Sequence, residues 1–345
     1  MSRVFITGGS GFLGINLVRK LLRERHQVVS FDLEPFDYPE ASLVEHVMGD
    51  IRDKDSVMAA MENCDWVVHA AAALPLNSDE EILSVDIEGT RIVAESAVSL
   101  SVDRFVHISS TAVYGVPKSG GIVEDSPLVG VGPYGKAKIA AEEIVAGFRK
   151  DMVATIIRPK SFIGPERLGV FSLLFDWASS GLHFPIPGNG HNRYQYLDVE
   201  DLCDAIYLAL TSESSIANDT YNIGARKFGT FRSDFQAVLD RAGFGKKIRG
   251  LPVNPVLGIL RLLDKWGLSP LYPWVYETAV KDSYVSIDRA MEKLQWSPRF
   301  SNTDALIRNY DWYVANKGEF AGHSGTTHRV PWKQGALGIA KIFFR

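Results

Sequence analysis

The chain has 345 residues, of which 46% are hydrophobic and 23% are charged, as is typical of a globular protein. Its formal net charge of −4 argues against a general nucleic-acid-binding protein. The two cysteines, Cys64 and Cys203, are far apart and lack metal-ligand spacing, so we expect buried thiols, a reducing compartment and no metal site. The first apolar run leaves no room for a signal peptide and no run could span a bilayer, so we expect a cytoplasmic location.

The N-terminal segment carries the most informative pattern in the chain. A short apolar run leads into Gly8, Gly11 and Gly14, and a helical pattern follows over 12–22. A second apolar run then ends on Asp32. A strand, a glycine turn, a helix and a second strand with a terminal acid are typical of a dinucleotide site.

Each residue of this motif has a physical role. Gly8 permits a tight turn, Gly11 lets the backbone approach a pyrophosphate, and Gly14 lets the helix pack close to the strand. The helix N-terminus then directs N–H groups at the phosphates. Asp32 can accept hydrogen bonds from ribose hydroxyls, and its charge would repel a 2′-phosphate, so the motif predicts NAD rather than NADP.

Strand-like and helix-like segments alternate through the first half of the chain. We predict strands at 4–7, 27–31, 43–48, 66–69, 104–109 and 154–158. We predict helices between them at 12–23, 54–62, 84–99 and 135–148. Short apolar strands separated by helices predict a Rossmann-type α/β fold, with a doubly wound parallel sheet covered on both faces.

The second half is less regular. Helical patterns occur at 171–181, 199–210, 231–242, 256–266, 288–294 and 303–316, with a strand at 220–223. We predict an NAD-binding domain over 1–165, to which segments around 193–225 return. A smaller C-terminal α/β substrate lobe is predicted over 166–318.

The composition changes in the last segment, 319–345. A glycine-, serine- and threonine-rich linker precedes a basic amphipathic pattern that places Lys341 and Arg345 opposite an apolar face. Three interpretations are open at this point. The tail covers an apolar groove of its own domain, 328–345 lies peripherally on an anionic membrane surface, or the segment docks on a partner.

Ser110, Tyr134 and Lys138 could carry chemistry. Tyr134 and Lys138 form a Y-x-x-x-K pattern, so their side chains share one helix face. Because a nearby ammonium stabilises a phenolate, we expect Lys138 to lower the pKa of Tyr134, which could then take a proton from a substrate hydroxyl. Ser110 follows a predicted strand and would hydrogen-bond the same substrate oxygen. The alternative is a purely structural tyrosine and lysine.

Taken together, these motifs make the chain resemble the extended short-chain dehydrogenase/reductases of the NAD-dependent epimerase/dehydratase group. The resemblance covers roughly residues 1–315. The matching pieces are 7–14, 49–51, 69–72, 109–115, the Tyr134 motif with Glu142, 158–159, 164–165 and 197–201. Asp86 departs from the pattern, because relatives often have asparagine there.

The resemblance implies NAD as the cofactor, with Ser110, Tyr134 and Lys138 as catalytic residues. The residues that it places along the cofactor are Gly8, Gly11, Phe12, Leu13, Gly14, Asp32, Asp50, Ile51, Ala70, Ala71, Ala72, Tyr134 and Lys138. It also implies a homodimer formed through the helices at 84–99 and 135–148.

The residues after Ser110 narrow the reaction. Relatives that eliminate water carry an Asp-Glu pair there, whereas this chain has Thr111 and Ala112, neither of which can act as a general acid or base. The remaining chemistry is reversible oxidation and reduction at one carbinol. That chemistry fits a nucleotide-sugar 4-epimerase with a keto intermediate, and it also fits a plain dehydrogenase or reductase.

The substrate is predicted from fewer residues. Arg193 matches the position where nucleotide-sugar relatives bind the diphosphate, and an arginine suits a bidentate phosphate contact. The other candidate substrate contacts are Thr111, Ser161 and Lys281. The last two replace residue types common in sugar-processing relatives, so a sterol-like or other hydroxy substrate stays open. The leucine-rich stretch 252–274 could line an apolar pocket or simply pack as a helix.

Overall fold

A computed structural model of the chain describes residues 1–75, 77–116, 121–265, 278–318 and 341–344. The strands among them are β1 (Arg3–Thr7), β2 (Gln27–Asp32), β3 (Glu45–Met48), β4 (Trp66–His69), β5 (Arg104–Ile108), β6 (Val153–Pro159), β7 (Phe162–Ile163), β8 (Phe184–Pro187), β9 (Leu197–Asp198), β10 (Thr220–Ile223) and β11 (Ile248–Leu251). The α-helices are α1 (Phe12–Arg23), α2 (Lys54–Met61), α3 (Asp79–Leu83), α4 (Thr90–Ser99), α5 (Gly132–Gly147), α6 (Phe171–Ser179), α7 (Val199–Thr211), α8 (Ser214–Ala217), α9 (Phe231–Ala242), α10 (Val253–Lys265), α11 (Asp288–Lys293) and α12 (Asn302–Asn316).

The main sheet has seven parallel strands in the order β10-β6-β5-β4-β1-β2-β3. The direction of the strand order reverses at β1, which pairs with β2 on one side and with β4 on the other. Ligands of such sheets bind beyond the carboxyl ends of the strands, at the point of reversal. The predicted doubly wound parallel sheet is therefore confirmed, and its reversal point locates the site.

Both faces of the sheet are buried. Val4 and Ile6 pack in one apolar cluster with residues of α1 and α7, whereas Phe5 packs in a second cluster with residues of α2 and α4. All three side chains have no exposed surface. Successive residues of a strand point to opposite faces, so a continuous apolar run is what a sheet covered on both sides requires.

A third apolar cluster forms a smaller lobe. Its buried aromatic side chains come from α6, α9, α12 and the segment 194–196, with Phe231 and Phe235 at a centroid distance of 4.2 Å. Two short parallel sheets, β8 with β11 and β7 with β9, accompany it. β10 belongs instead to the edge of the main sheet, where it pairs with β6.

The helix predicted over 84–99 is interrupted. Helical structure starts earlier, in α3, and passes through a π-helical turn, Ser84–Gly89, before α4. The Thr90 hydroxyl donates to the carbonyl of Asp86 at 2.6 Å, and the Asp86 side chain accepts from the N–H of Ala73 at 2.9 Å. These bonds draw the turn away from regular α geometry, and such turns are frequent at functional sites.

The described part of the tail lies on the protein itself. Phe344 accepts a hydrogen bond from the backbone of His183 at 2.8 Å, and its ring lies 5.6 Å from that of Trp177 in α6. Lys341 forms an ion pair with Asp176 of the same helix. These contacts favour the first interpretation of the tail. The rest of the predicted amphipathic segment lies outside the described residues.

Two further expectations concern burial and membranes. Cys64 and Cys203 are both free and buried, as predicted. Across the described ranges, no helix has the length and apolar character needed to cross a membrane.

Candidate active site

The glycine turn lies at the carboxyl end of β1. Gly8 has a φ of +72°, and a Cβ there would lie 2.8 Å from the backbone nitrogen of Ala71. A Cβ on Gly14 would lie 2.2 Å from the carbonyl oxygen of Gly8. A Cβ on Gly11 would meet only that same carbonyl, at 3.2 Å, so the turn is open on its outer side. No side chain caps α1, and its first N–H groups therefore face this opening.

Asp32 borders the same opening from the end of β2. Its Oδ2 accepts from the backbone N–H of Ser10 at 3.0 Å, and its Oδ1 accepts from that of Glu34 at 3.0 Å. The carboxylate is held in one orientation and remains half-buried at the edge of the turn. An open glycine turn, an uncapped helix N-terminus and a fixed acid fit a dinucleotide.

A buried hydrogen-bond chain holds the backbone at 70–71 beside the turn. Thr7 Oγ1 accepts from the N–H groups of Ala70 and Ala71, both at 3.2 Å. Its hydroxyl hydrogen therefore donates to Nδ1 of His69, 2.7 Å away, and Nε2 of His69 donates to the Thr90 hydroxyl at 3.0 Å. Burial lowers the pKa of His69 to about 3. The ring is therefore neutral, as these hydrogen bonds require.

Thr7 and His69 were not predicted as positioning residues from the sequence. The signal that could have found them is a polar side chain ending each of two apolar strands, because such buried groups need partners. Ala72 follows in the same segment after β4 and is exposed.

Asp50 and Ile51 follow β3. Arg52 donates to both carboxylate oxygens of Asp50, and this ion pair lowers the pKa of the carboxyl. Ile51 is buried, and a Cβ on Gly89 would lie 2.5 Å from its Cδ1. The structure thus places both of these predicted cofactor contacts beyond the same end of the sheet.

The structure brings Ser110, Tyr134 and Lys138 together. Ser110 follows β5 and accepts from the N–H of Ala112 at 3.1 Å, and its proximity to the Tyr134 hydroxyl opposes the rise in the pKa of that phenol. Tyr134 and Lys138 lie one turn apart on α5, with Nζ of Lys138 5.7 Å from the centroid of the tyrosine ring.

The prediction that Lys138 lowers the pKa of Tyr134 is wrong for the residues of the chain taken alone. Burial raises the pKa of Tyr134, and the carboxylate of Asp86 raises it further, against a smaller lowering by Ser110. Nζ of Lys138 lies 3.7 Å from Oδ1 of Asp86. The ammonium is therefore paired with a buried carboxylate, whose negative charge opposes ionisation of the neighbouring phenol.

A second buried ion pair fixes α5 against the sheet. Arg158 of β6 donates to both oxygens of Glu142, with the shortest distance 2.6 Å, and to the Tyr114 hydroxyl at 2.7 Å. Ser109 also donates to Glu142. These residues of the family-like motifs thus hold the helix that carries Tyr134.

A small pocket opens next to Ser110. The residues lining it include Thr111, Tyr114, Lys160, Thr278, Ser283 and Tyr284. Lys160 directly follows β6 and was not predicted from the sequence. A lysine immediately after an apolar strand in such a sheet is the signal that could have found it, because the carboxyl ends of the strands meet at the site.

Of the predicted substrate residues, Thr111 lines this pocket, whereas Ser161, Arg193 and Lys281 are not among its lining residues. Ser161 lies beside the buried phenol of Tyr194 and opposes the rise that burial causes in the pKa of that group. The Arg193 guanidinium stacks on the ring of Tyr284, 4.8 Å from its centroid. Lys281 is exposed. Its backbone carbonyl accepts a hydrogen bond at 2.9 Å from Asn192, the residue before Arg193. Of the stretch 252–274, residues 266–274 lie outside the described residues.

Fold and site together define an enzyme that binds a dinucleotide on a Rossmann-type sheet. Residues 4–224 match the model of the NAD dependent epimerase/dehydratase family, and the chain belongs to this family. It is therefore an NAD-dependent enzyme, as predicted.

Known proteins with related sequences cover almost the whole chain. The chain is 36% identical over 343 residues to protein y4nG of Sinorhizobium fredii, covering 99% of this chain and 86% of that protein. It is 29% identical to the 3 beta-hydroxysteroid dehydrogenase/Delta 5-->4-isomerase of Mycobacterium tuberculosis, covering 91% of each. The UDP-glucose 4-epimerase of Thermotoga maritima, solved with UDP-glucose, has a TM-score of 0.76 at 21% identity and covers 91% of this chain and 99% of its own.

Proposed function

We propose that this enzyme is an epimerase that inverts C4 of a nucleotide-diphosphate sugar, most directly a UDP-sugar, through a transient keto intermediate. The observation that carries the proposal is the convergence of Ser110, Tyr134 and Lys138 beside an open glycine turn and a pocket whose lining residue Tyr284 stacks on Arg193. NAD⁺, when bound, supplies the hydride acceptor that oxidation of a carbinol requires.

The chain's own residues divide the proton chemistry between them. Ser110 would hold the substrate oxygen by a hydrogen bond, and Tyr134 would take the hydroxyl proton as the general base. Lys138, whose ammonium lies near the ring, would favour the ionised phenol together with the positive charge of bound NAD⁺, because Asp86 offsets its effect in the chain by itself. Returning the proton from Tyr134 after reduction of the keto group completes the inversion.

The residues beside the base disfavour elimination of water. Thr111 and Ala112 occupy a buried 3₁₀ turn directly after Ser110. Neither side chain can exchange a proton near neutral pH, so a dehydratase would lack its acid and base there. Redox chemistry at a single carbinol is what these side chains support.

The Arg193 guanidinium suits the diphosphate of such a substrate. It lies 4.6 Å from the centroid of Phe228 and 4.8 Å from that of Tyr284, which fixes its plane. Within the described residues, no carboxylate lies within 4.0 Å of it. An exposed, oriented and uncompensated guanidinium can take two phosphate oxygens at once. Ser161 and Lys281 are proposed as further substrate contacts.

The experiment is an interconversion assay on the purified protein supplied with NAD. UDP-glucose, UDP-galactose, UDP-glucuronate and the N-acetyl analogues are incubated separately, and we expect at least one pair to reach an equilibrium mixture. Tyr134→Phe, which keeps the ring, should lose at least about a thousandfold in kcat. No interconversion of any pair would refute the proposal.

A dehydrogenase acting on a sterol-like or other hydroxy compound is the second candidate. The observation that favours it is the 29% identity to the mycobacterial hydroxysteroid dehydrogenase over 91% of both chains. Net NADH formation with a sterol-like alcohol, together with no turnover of UDP-sugars, would establish this alternative.

We also propose that the enzyme forms a homodimer through α4 and α5, which sedimentation velocity would test. We propose a cytoplasmic location, which cell fractionation would test. The contacts of the tail with α6 support docking on the protein over peripheral membrane contact through 328–345.

A further inference from the structure

We infer that Lys160 binds a carboxylate on the sugar ring, so that the substrate is a nucleotide-linked uronic acid. This inference rests on the proposed function and deepens it by naming the substrate class.

Lys160 lies beyond the same carboxyl end of the parallel strands as Ser110. β5 and β6 are parallel neighbours, with Ile108 paired to Ile157 in register. Ser110 follows the first strand and Lys160 the second, and the two carboxyl ends meet at one edge. Lys160 and Thr111, the residue after Ser110, line the same pocket.

The environment of Lys160 leaves its charge uncompensated. The residue is 4% exposed, and Nζ donates one hydrogen bond, to Oγ of Ser283 at 2.8 Å. Nζ also lies 5.1 Å from the centroid of Tyr194. No acidic oxygen of the described chain lies within 4.0 Å of this nitrogen.

Such an ammonium is costly to bury without a counter-ion. Burial lowers the pKa of Lys160 to about 7, and no acidic neighbour offsets this cost. An anion entering the pocket would supply the missing charge, and two N–H bonds of the ammonium are left for it by the single contact to Ser283. A neutral hydroxyl could not compensate the charge.

Lys160 and Arg193 occupy different depths of the site. Arg193 is exposed, whereas Lys160 is buried, and Tyr284 both stacks on Arg193 and lines the pocket of Lys160. Ser283 links the two through its backbone bond to Arg193 and its side-chain bond from Lys160. The outer cation suits the diphosphate that every nucleotide sugar carries, and the inner one suits a charge on the ring.

The test compares an acidic and a neutral sugar of the same nucleotide on the NAD-loaded enzyme. Dissociation constants for UDP-glucuronate and UDP-glucose are measured by calorimetry, and interconversion is followed in parallel. We expect the unmodified enzyme to prefer UDP-glucuronate. Lys160→Met should reduce that preference, expressed as the ratio of the two constants, by about ten- to a hundredfold, the scale of a lost charge-assisted contact.

Arg193→Met is the matched control, because it should weaken both ligands and leave the ratio near that of the unmodified enzyme. Equal weakening of both ligands by Lys160→Met would overturn the inference and assign Lys160 to the diphosphate. An unchanged ratio would overturn it in favour of a structural lysine.

If Lys160→Met does not fold, the inference is tested by the ligand preferences of Lys160→Arg and of the unmodified enzyme. A preference for the neutral sugar in the unmodified enzyme overturns the inference, and retention of the acidic preference in Lys160→Arg supports it. Failure of the proposed function gives a different result, namely no interconversion of any UDP-sugar, whichever ligand binds.

Discussion

Asp86 shows how one side chain changes the balance of charge at this site. Its Oδ1 accepts from the N–H of Ala73 and lies 3.7 Å from the ammonium of Lys138, while Oδ2 has no hydrogen-bond partner in the described part of the chain. Burial raises the pKa of this carboxyl, and Lys138 opposes the shift. The same carboxylate raises the pKa of Tyr134.

Asp86→Asn should therefore move the pH dependence of kcat. Removing the negative charge lowers the pKa of Tyr134 and also releases Lys138 from its ion pair, and both effects favour the phenolate. We expect the rising limb of the kcat profile to move to lower pH. The measurement is kcat across pH 5–9 with the interconverted sugar.

An asparagine at position 86 can still accept the hydrogen bond from Ala73. If Asp86 had only a structural role, the rising limb of the kcat profile would therefore stay at the same pH. A limb that moves to higher pH would show that Asp86 supports ionisation of Tyr134 and would contradict the charge argument.

At the scale of elements, the glycine turn was predictable because its cause is local. Gly8 needs a positive φ, and Gly14 allows α1 to start directly against the turn. The π-helical turn was not predictable from periodicity, because Asp86 within it accepts a hydrogen bond from the N–H of Ala73, a residue thirteen positions earlier in the chain. The short strands β7, β8, β9 and β11 were missed, because β7 and β9 have only two residues each and the other two contain proline or glycine in place of a continuous apolar run.

Gly14→Ala and Gly147→Ala form a matched pair of helical substitutions. The first would place a Cβ 2.2 Å from the carbonyl of Gly8 and should destabilise the fold by about 3 kcal/mol and weaken NAD binding. The second meets nothing within 4 Å and should stabilise the protein by about 0.5–1 kcal/mol. Urea unfolding with and without NAD measures both, and equal effects would disprove the close-packing role of Gly14.

At the scale of the whole molecule, distant segments of the chain complete the site. β10 returns to the main sheet beside β6, and the segment around 283–285 joins Lys160 and Arg193. The described tail residues pack on α6, far from them in sequence.

Phe344→Ala tests the contact between the tail and α6. Losing this half-buried ring from Trp177 should cost about 1 kcal/mol of unfolding free energy and alter the fluorescence of Trp177. Phe244→Ala, at a ring 56% exposed, is the control and should cost less. If the tail instead binds membranes, Phe344→Ala would reduce binding to anionic vesicles and leave stability unchanged.

The sequence by itself determined the sheet, the dinucleotide turn and the helix face shared by Tyr134 and Lys138, because these depend on strand periodicity, backbone conformation and an i, i+4 spacing that are properties of short segments. Only the tertiary structure decided the charge around Tyr134, the pairing of Lys138 with Asp86 and the burial of Lys160. Those follow from residues far apart in the chain that share one edge of the sheet, where removal from water gives each charge its effect.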